Sequence, residues 1–437
     1  MKLLKFIIYQ FISNETIFLG IIALIGLTLQ HKKLPTIVSE TINTILGFTI
    51  LMAGVNILIN SLSPLITKLN TTLHVHGVLP TNDAAFGVVM KFPNIANDVI
   101  ITFLLSFLLH LFLVKITKKY IFKNVYLMAQ MILYLSAFIN VTLPTVIQSN
   151  RIETIIIGSA MISLYLAYSP AITRYIARDW MHGMSLGFMD QVGSIIAYYS
   201  GKIFGNKNSK QDADNMKLPK WAQIFNENNV ILFFIMPLIF TGIGLSIGHK
   251  GVQQLINNPN TNWIMWLILQ GFNFVAGIII LLYGVNMFIE AIVPAFKGIS
   301  EKLLPHAIPA LGAPTIFPYS PMGGMFGFFG SSIGCIIVTI LTIVFHSKII
   351  VFPSPIIMYF DGMVMGIFGN KSGGWRGAIM AGFITGIISS ASVILFYPLT
   401  GKMFGSGLTW SNIDYAIVWT PILYILKFLK NIIINVF

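Results

Sequence analysis

Long apolar runs recur along the whole chain, as at 99–114, 230–247 and 378–395. Each run approaches the ~20 residues that a helix needs to cross the hydrocarbon core of a bilayer. Hydrophobic residues make up 56% of the 437 residues and charged residues only 9%, and so small a charged fraction is atypical of a water-soluble domain. The sequence therefore predicts an all-α, polytopic membrane protein.

Proline, glycine, asparagine and lysine residues divide the apolar runs into eleven predicted crossings. These lie at 16–30, 38–62, 98–114, 125–144, 154–170, 228–248, 262–293, 325–345, 350–368, 378–399 and 412–430. The segment 183–200 differs, because Asp190 and Gln191 stand at its centre and basic residues flank it on both sides. We expect it to be re-entrant, entering and leaving the membrane on one face.

The charge balance predicts the orientation in the membrane. The chain has 27 Lys and Arg residues against 14 Asp and Glu, a net charge of +13. Basic residues collect in the cytoplasmic loops of polytopic proteins, so this excess implies no nucleic-acid partner. With 183–200 re-entrant, the rule predicts an N-terminus outside and a C-terminus in the cytoplasm.

The single cysteine, Cys335, excludes an intrachain disulfide, and no Cys/His spacing indicates a metal site. We expect neither a metal nor a cofactor.

An internal repeat is suggested by the triplet Gly-Val-Asn, which occurs at 54–56 and again at 284–286. Each copy is followed by a proline-containing stretch that is poorly helical, at 78–84 and at 308–314. Coincidence in so biased a composition is the alternative. In the predicted topology the two copies run in opposite directions, as in transporters built from inverted repeats. The predicted domain organisation is an interfacial N-terminal helix at 1–15, a first half at 16–200, a cytoplasmic loop at 201–227 and a second half at 228–437.

Acidic side chains within apolar segments are the first candidates for a polar site. A charge at the bilayer centre costs about 2.5–3.5 kcal/mol on insertion scales, so such a residue normally faces a cavity or a partner. Asp83 and Asp190, with the neighbouring amides of Asn82 and Gln191, meet this description. Structural alternatives stay open, because Asp83 could cap a helix and Asp190 could bond nearby backbone. Asp361 is a weaker candidate, since it can lie near a membrane surface.

Several longer strings resemble those of a known family. They are HVHGVLPTNDA, GFMDQVGSIIAYYSGKIFG, KLPKWAQIF, GVNMFIEAIVPAFKGISEKLLPHAIPALGAP and FGNKSGGWRGA. In these strings the chain resembles the ascorbate-type membrane permease, component IIC, of the bacterial phosphoenolpyruvate-dependent sugar phosphotransferase system. The similarity runs over most of the chain in the same order.

The resemblance implies a homodimer in the bacterial plasma membrane. Each protomer would have a scaffold and a substrate-holding core related by inverted repeats, and uptake would follow from movement of the core. A separate IIB protein, recharged by IIA, would phosphorylate the substrate, a small polar carbohydrate. The permease would position this substrate within the lipid bilayer without being the phosphoryl donor itself.

Three positions depart from the pattern of that family. A histidine of its fourth helix corresponds to Tyr126, a histidine of its Leu-Gly-His motif corresponds to Phe188, and an acid of its Ala-x-Asp-Ala motif corresponds to Gly312. A site built to hydrogen-bond hydroxyls discriminates against ligands that leave its polar groups unpaired. We therefore expect a polyol or sugar other than ascorbate, with Asp190 compensating for a missing histidine.

The predicted substrate site combines both lines of reasoning. Asn82 and Asp83 would accept substrate hydroxyls, while Gly54, Gly312 and Ala313 would present backbone groups from unwound segments. The full set is Ala53, Gly54, Asn82, Asp83, Tyr126, Gln130, Phe188, Met189, Asp190, Gln191, Gly312 and Ala313.

Two other functions remain open at the level of sequence. One is an ion- or proton-coupled secondary transporter that uses Asp83 or Asp190 as its titrating group. The other is a membrane sensor or scaffold that no longer transports and binds a regulator through the basic segment 202–220. An uncoupler should stop uptake by a secondary transporter but not uptake by a phosphotransferase permease. If the chain is a sensor or scaffold, its deletion should leave the rate of substrate uptake unchanged.

Overall fold

The computed structural model describes residues 15–30, 32–73, 76–126, 128–181, 185–206, 212–215, 228–256, 258, 260–303 and 307–436. Nearly all of the predicted interfacial helix at 1–15 lies outside the described residues. Within the predicted loop at 201–227, residues 207–211 and 216–227 also lie outside them.

In the first half, helices alternate with short strands. The helices are α1 (Glu15–Leu29), α2 (Leu34–Leu73), α3 (Asn82–Met90), α4 (Pro93–Ile116), α5 (Ala129–Ile147), α6 (Arg151–Tyr168), α7 (Pro170–Ile176) and α8 (Gly193–Phe204). The strands are β1 (His76–Pro80), β2 (Asn124–Tyr126) and β3 (Ser185–Leu186).

The second half has the same character. Its helices are α9 (Asn228–Ile247), α10 (His249–Gln253), α11 (Trp263–Leu303), α12 (Pro321–Val344), α13 (Pro355–Phe396) and α14 (Thr420–Val436), and its strands are β4 (Ile308–Leu311), β5 (Ile349–Val351) and β6 (Leu408–Thr409). Two 3₁₀ turns, Ala313–Thr315 and Phe317–Tyr319, follow β4, and a π-helical turn, Tyr415–Trp419, precedes α14.

Helix starts follow local sequence rules. α4, α12 and α13 each begin at a proline, whose missing N–H has no partner to lose in a first helical turn. α6 begins with a capping box, in which the Asn150 side chain accepts from the Glu153 N–H at 3.0 Å. The Glu153 carboxylate in turn accepts from the Asn150 N–H at 2.9 Å.

Among the described residues, seven helical stretches are long and apolar enough to cross a membrane. The longest, Ile357–Leu399, contains two predicted crossings, because α13 kinks at Gly373 and Gly374. Gly374 has a φ of 68°, which glycine adopts without strain. A shorter apolar helix at Leu232–Ile247 coincides with a further predicted crossing. The predicted all-α, polytopic architecture is confirmed.

Some predicted boundaries differ from the structure. The crossing predicted from residue 125 begins only at Ala129, because 124–126 form β2. The crossing predicted from residue 412 becomes α-helical only at Thr420. In the segment predicted to be re-entrant, strand β3 and a non-helical turn precede α8.

The two halves repeat one order of elements. The series α2, β1, α3, α4, β2 in the first half corresponds to α11, β4, the two 3₁₀ turns, α12, β5 in the second. Two long helices and a short helical segment then precede the third strand. In the first half they are α5, α6 and the short α7 before β3, and in the second they are the two arms of the kinked α13 and the 3₁₀ turns at 397–403 before β6. This correspondence extends the repeat well beyond the Gly-Val-Asn triplet from which it was predicted.

The long helices α2 and α11 pack closely and run in opposite directions. Gly47 lies against Phe288, and Gly54 lies against Leu281. The two helices are therefore antiparallel, as expected for corresponding helices of an inverted repeat. Both contacts reach the backbone of α11, which is the close approach that small residues permit in membrane helices.

Each three-stranded sheet takes its central strand from one half and its outer strands from the other. β1 lies between β5 and β6, and β4 lies between β2 and β3. All of these pairs are parallel, so the carboxyl ends of the strands in one sheet meet at one edge. Residues that follow the strands are thereby brought together from both halves of the chain.

Candidate functional site

A cavity of about 330 Å³ lies among residues that follow β1 and β6 and residues of neighbouring helices. Its lining residues are Asn82, Asp83, Met128, Gln130, Met131, Tyr134, Phe188, Leu282, Asn286, Ile357, Phe360, Asp361 and Asn412. Apolar walls with a few convergent polar groups are typical of small-molecule sites. The polar groups in this lining set are amides, carboxylates and a phenol, without Lys, Arg or His.

Asp83 stands in the first turn of α3, directly after β1. Its carboxylate accepts a hydrogen bond from the Gln130 Nε2 group at 3.1 Å and another from the Tyr134 hydroxyl. Gln130 Nε2 also lies 2.6 Å from the Tyr134 oxygen. Thr81 occupies the N-cap position of α3, so the cap alternative for Asp83 does not explain its contacts with α5. The arrangement fixes a buried carboxylate at the cavity wall.

A chain of hydrogen bonds links Asn82 to the second half of the protein. The Asn82 side-chain oxygen accepts from the Ser411 N–H at 2.8 Å, and its amide donates to the Asn412 oxygen. Asn412 Nδ2 donates to Asp361 Oδ1 at 2.5 Å, and the Ile413 N–H donates to Asp361 Oδ2 at 3.2 Å. Three segments that are far apart in sequence thus share one polar network beside the cavity.

Asp414 joins the start of α8 to the segment after β6. Its carboxylate accepts from the N–H groups of Val192 at 3.1 Å and Gly193 at 2.8 Å, and from the Tyr165 hydroxyl at 2.5 Å. An anion at a helix N-terminus is favoured by the unpaired N–H groups and the helix dipole. The Tyr165 oxygen also lies 2.8 Å from Gln191 Oε1, so Gln191 belongs to the same cluster.

Asp190 lies in the non-helical turn between β3 and α8 and is fully buried. The preceding residue, Met189, has a φ of 65°, which is uncommon for a residue with a side chain. The Met189 carbonyl accepts from the Asp414 N–H at 3.1 Å. This turn therefore brings the Asp190 carboxyl beside that of Asp361.

The second sheet, β2–β4–β3, contributes backbone and small residues near the same region. Gly187 lies against Ala310 and the Tyr126 ring. Gly312 lies against the side chain of Met128, which lines the cavity. The structure therefore brings the carboxyl ends of β2, β3 and β4 together, with their small residues behind the cavity wall.

Comparison with known families agrees with this architecture. The family model EIIC-GAT, described as a phosphotransferase system (PTS) sugar-specific permease component, matches residues 10–414. The chain belongs to this family. Membership of a PTS permease family, together with the apolar helices, makes it a multi-pass protein of the plasma membrane.

A curated relative is found in Mycoplasma pneumoniae (strain ATCC 29342 / M129 / Subtype 1), where it is named "Ascorbate-specific PTS system EIIC component". The two sequences are 24% identical over 438 aligned residues. The alignment covers 88% of this chain and 65% of the relative, so the chain spans slightly less than two thirds of the relative's length.

Four of the residues predicted for the permease's site line the cavity, and they are Asn82, Asp83, Gln130 and Phe188. Asp190 and Gln191 lie behind this wall, in the networks of Asp361 and Asp414. Met189 is buried in the same turn.

The other predicted positions lie outside the lining set. Tyr126, Gly312 and Ala313 lie at or just beyond the carboxyl ends of β2 and β4. Ala53 and Gly54 are on α2, where Ala53 is exposed and Gly54 packs at the crossing with α11. The packing of Gly54 accounts for its small size without a ligand.

The residues missed from sequence include Tyr134 and Asn412 in the cavity lining and Asp414 in the network behind it. Tyr134 lies one helical turn after Gln130 and therefore on the same face of α5. This spacing could have identified Tyr134 as a neighbour of the predicted site. Asn412 and Asp414 follow β6 as Asp190 follows β3, so the internal repeat could have identified them.

Proposed function

We propose that this chain is the IIC permease of a phosphotransferase system and that it binds and translocates a small polar carbohydrate. In this proposal a separate IIB protein, recharged by IIA, phosphorylates the substrate. The permease acts as a homodimer, with its N-terminus outside and its C-terminus in the cytoplasm. Family membership supports the assignment to the system, and the cavity supports a polyhydroxylated substrate.

The polar lining of the cavity is the observation that carries the proposal. A hydroxyl group both donates and accepts hydrogen bonds. The carboxylates of Asp83 and Asp361 can accept from such groups, and the amides of Gln130 and Asn286 can do both. Phe188, whose ring centroid is 5.7 Å from that of Phe360, supplies an apolar surface for the carbon skeleton.

The charge of the lining favours a neutral substrate. Its ionisable members are Asp83, Asp361 and Tyr134, and no basic side chain in the set offsets the two acids. An anion such as ascorbate at neutral pH would be repelled by a carboxylate in a poorly solvated cavity. We therefore propose a neutral sugar or polyol, which agrees with the departures from the ascorbate-type pattern at Tyr126 and Gly312.

The position of the cavity suggests how translocation proceeds. Leu282 and Asn286 belong to α11, which packs with α1, α2 and α9. The other lining residues belong to helices and turns that pack with one another on the far side of the cavity. Movement of this second group against the first would carry a bound solute between the two membrane faces, as in transporters with inverted repeats.

A thermal-shift screen of the purified protein tests the substrate class. Pentitols, hexitols, common sugars and ascorbate are each added over a concentration series. A ligand at 100 times its dissociation constant stabilises the folded state by about 2.7 kcal/mol. We expect a neutral compound to stabilise the protein and ascorbate to have no effect. Stabilisation by ascorbate alone would contradict the proposal of a neutral substrate.

Asp83→Asn tests the site with a matched control. Loss of a hydrogen bond to a charged group costs about 1.5–3 kcal/mol. For the compound found in the screen, this corresponds to a dissociation constant about 10- to 150-fold larger. Asp98→Asn is the control, because Asp98 is also a buried acid of an apolar segment but pairs with Arg151 outside the cavity. Equal affinities of the two variants would remove Asp83 from the site.

Uptake by whole cells tests the coupling. Uptake by a phosphotransferase permease requires phosphoenolpyruvate and IIB, and it continues when an uncoupler is added. Uptake that stops with an uncoupler but continues without phosphoenolpyruvate would support a secondary transporter. Unchanged uptake after deletion of the chain would support a sensor.

A further inference from the structure

Asp190 differs from the other buried acids near the cavity. Asp83, Asp361 and Asp414 each accept hydrogen bonds from the donors described above. Both carboxyl oxygens of Asp190 are buried and make no hydrogen bond of good geometry with a donor among the described residues. The Ile413 N–H also faces Asp190, but it donates to Asp361. Burying an ionised carboxylate without donors is very costly, so an ionised Asp190 does not fit its surroundings.

An acid is the ionisable group that lies against the Asp190 carboxyl. Its carboxyl lies against that of Asp361, and the other ionisable groups that face it are Asp414, Tyr126 and Tyr165. None of these carries a positive charge, and no described Lys, Arg or His side chain is among them. Two carboxyl groups in contact repel each other unless they share a proton.

The hydrogen bonds decide which of the two carboxyls holds the proton. Asp361 accepts at both of its oxygens, from Asn412 and from the Ile413 N–H, and these donors stabilise its ionised form. The Ile413 N–H also faces Asp190, but among the described residues no donor makes a hydrogen bond to either oxygen of Asp190. A proton on Asp190 gives it a donor that Asp361 can accept, so both carboxyls are then satisfied. A cation would be the alternative counter-charge, but the described residues contain no group of three or more acidic, His or Cys side chains arranged to hold a metal ion.

We propose that Asp190 is an exchangeable proton-binding site, and that its proton, donated to Asp361, joins the two halves of the protein at the cavity. Asp190 follows β3 in the first half, whereas Asp361 belongs to α13 and lines the cavity. Loss of the proton to water leaves two like charges in contact. The two segments then separate, and the cavity loses its wall at alkaline pH.

Infrared spectroscopy of the purified full-length chain in lipid tests this directly, without any substrate. The C=O stretch of a protonated carboxyl is separate from that of a carboxylate. We expect the wild type to show a protonated-carboxyl band at neutral pH that disappears at alkaline pH. Asp190→Asn should remove this band, and Asp98→Asn should retain it. A neutral-pH spectrum of Asp190→Asn identical to that of the wild type would overturn the proposal.

Two further measurements make the test independent of that one variant. Asp361→Asn removes both the neighbouring negative charge and the carboxylate that accepts the proton of Asp190. Each of these favours the protonated form of Asp190, so the band should be lost at a lower pH than in the wild type. Loss at an unchanged or a higher pH would count against the proposal. Loss of the wild-type band on addition of Na⁺ at constant pH would show a cation site instead.

The pH dependence of stability provides a second readout. If the folded state holds a proton that the unfolded state has lost, stability falls as pH rises. The wild type should therefore become less stable between neutral and alkaline pH. Asp190→Asn mimics the protonated carboxyl in shape and cannot ionise, so its stability should change less over this interval. Equal slopes for wild type and variant would overturn the proposal, whatever the outcome of the substrate screen.

Discussion

Replacing Gly54 by alanine should destabilise the protein, because this glycine is at the crossing of α2 and α11. A Cβ atom at position 54 would lie 2.4 Å from the Leu281 nitrogen and 2.7 Å from its Cα. Cβ atoms essentially never lie within 3.0 Å of such atoms. The atoms met are backbone, so no rotation of a side chain relieves the clash, and the two helices must move apart.

The expected magnitude follows from two opposing effects. Overpacking of a close-packed interior costs typically about 1–3 kcal/mol. Alanine in place of glycine within a helix recovers about 0.5–1 kcal/mol. Since a 41-residue helix must shift, we expect the upper part of the first range to apply, with a net loss of about 1–2 kcal/mol.

The assay is equilibrium unfolding of the purified protein in mixed micelles. Gly242→Ala is the matched control, because Gly242 is also within an apolar helix, α9, and its Cβ would meet nothing within 4 Å. We expect this variant to be as stable as the wild type or slightly more stable. If Gly54→Ala and Gly242→Ala were equally stable, the close crossing would be refuted. Loss of ligand binding without loss of stability would instead support the predicted contact between Gly54 and the substrate.

Two further substitutions test the polar contacts outside the cavity. Arg151→Gln removes an ion pair in which the arginine Nε lies 2.5 Å from Asp98. Because the Arg151 side chain is 59% exposed, we expect the free energy of unfolding to fall by only about 0–1 kcal/mol. A larger loss in unfolding measurements would contradict this. Asn370→Ala removes an amide that donates to Asp212 at 2.7 Å and to Ser320 at 2.9 Å, and that accepts from the Ala213 N–H at 2.9 Å. Because buried partners lose their bonds, we expect a loss of about 1–3 kcal/mol and faster hydrogen exchange at 212–215; unchanged exchange would show that Asn370 does not hold this segment.

The polar cluster shows where sequence reasoning reached its limit. Asp83 and Gln130 were each predicted for the site, and they form a direct hydrogen bond of 3.1 Å, with the Tyr134 hydroxyl also bonded to Asp83. Asn412 was missed, although it contacts both Asn82 and Asp361. It meets them only because β1 pairs with β6 from the other half, and strands this short carry almost no pattern that predicts a partner so far away in sequence.

The fold class, the approximate helices and the internal repeat were predictable from the amino-acid sequence alone. These properties depend on local composition, because a helix in a membrane satisfies its own backbone and needs only a long apolar run. The poorly helical stretch at 78–84 was predicted for the same reason, from its proline and polar residues.

Which polar residues share a site depends on tertiary packing. The exchange of strands between the halves brings Asp190 against Asp361, and the crossing of α2 with α11 assigns Gly54 to packing. Such contacts join residues of distant segments, so they depend on how complete helices and sheets pack together. Local sequence patterns do not predict that packing.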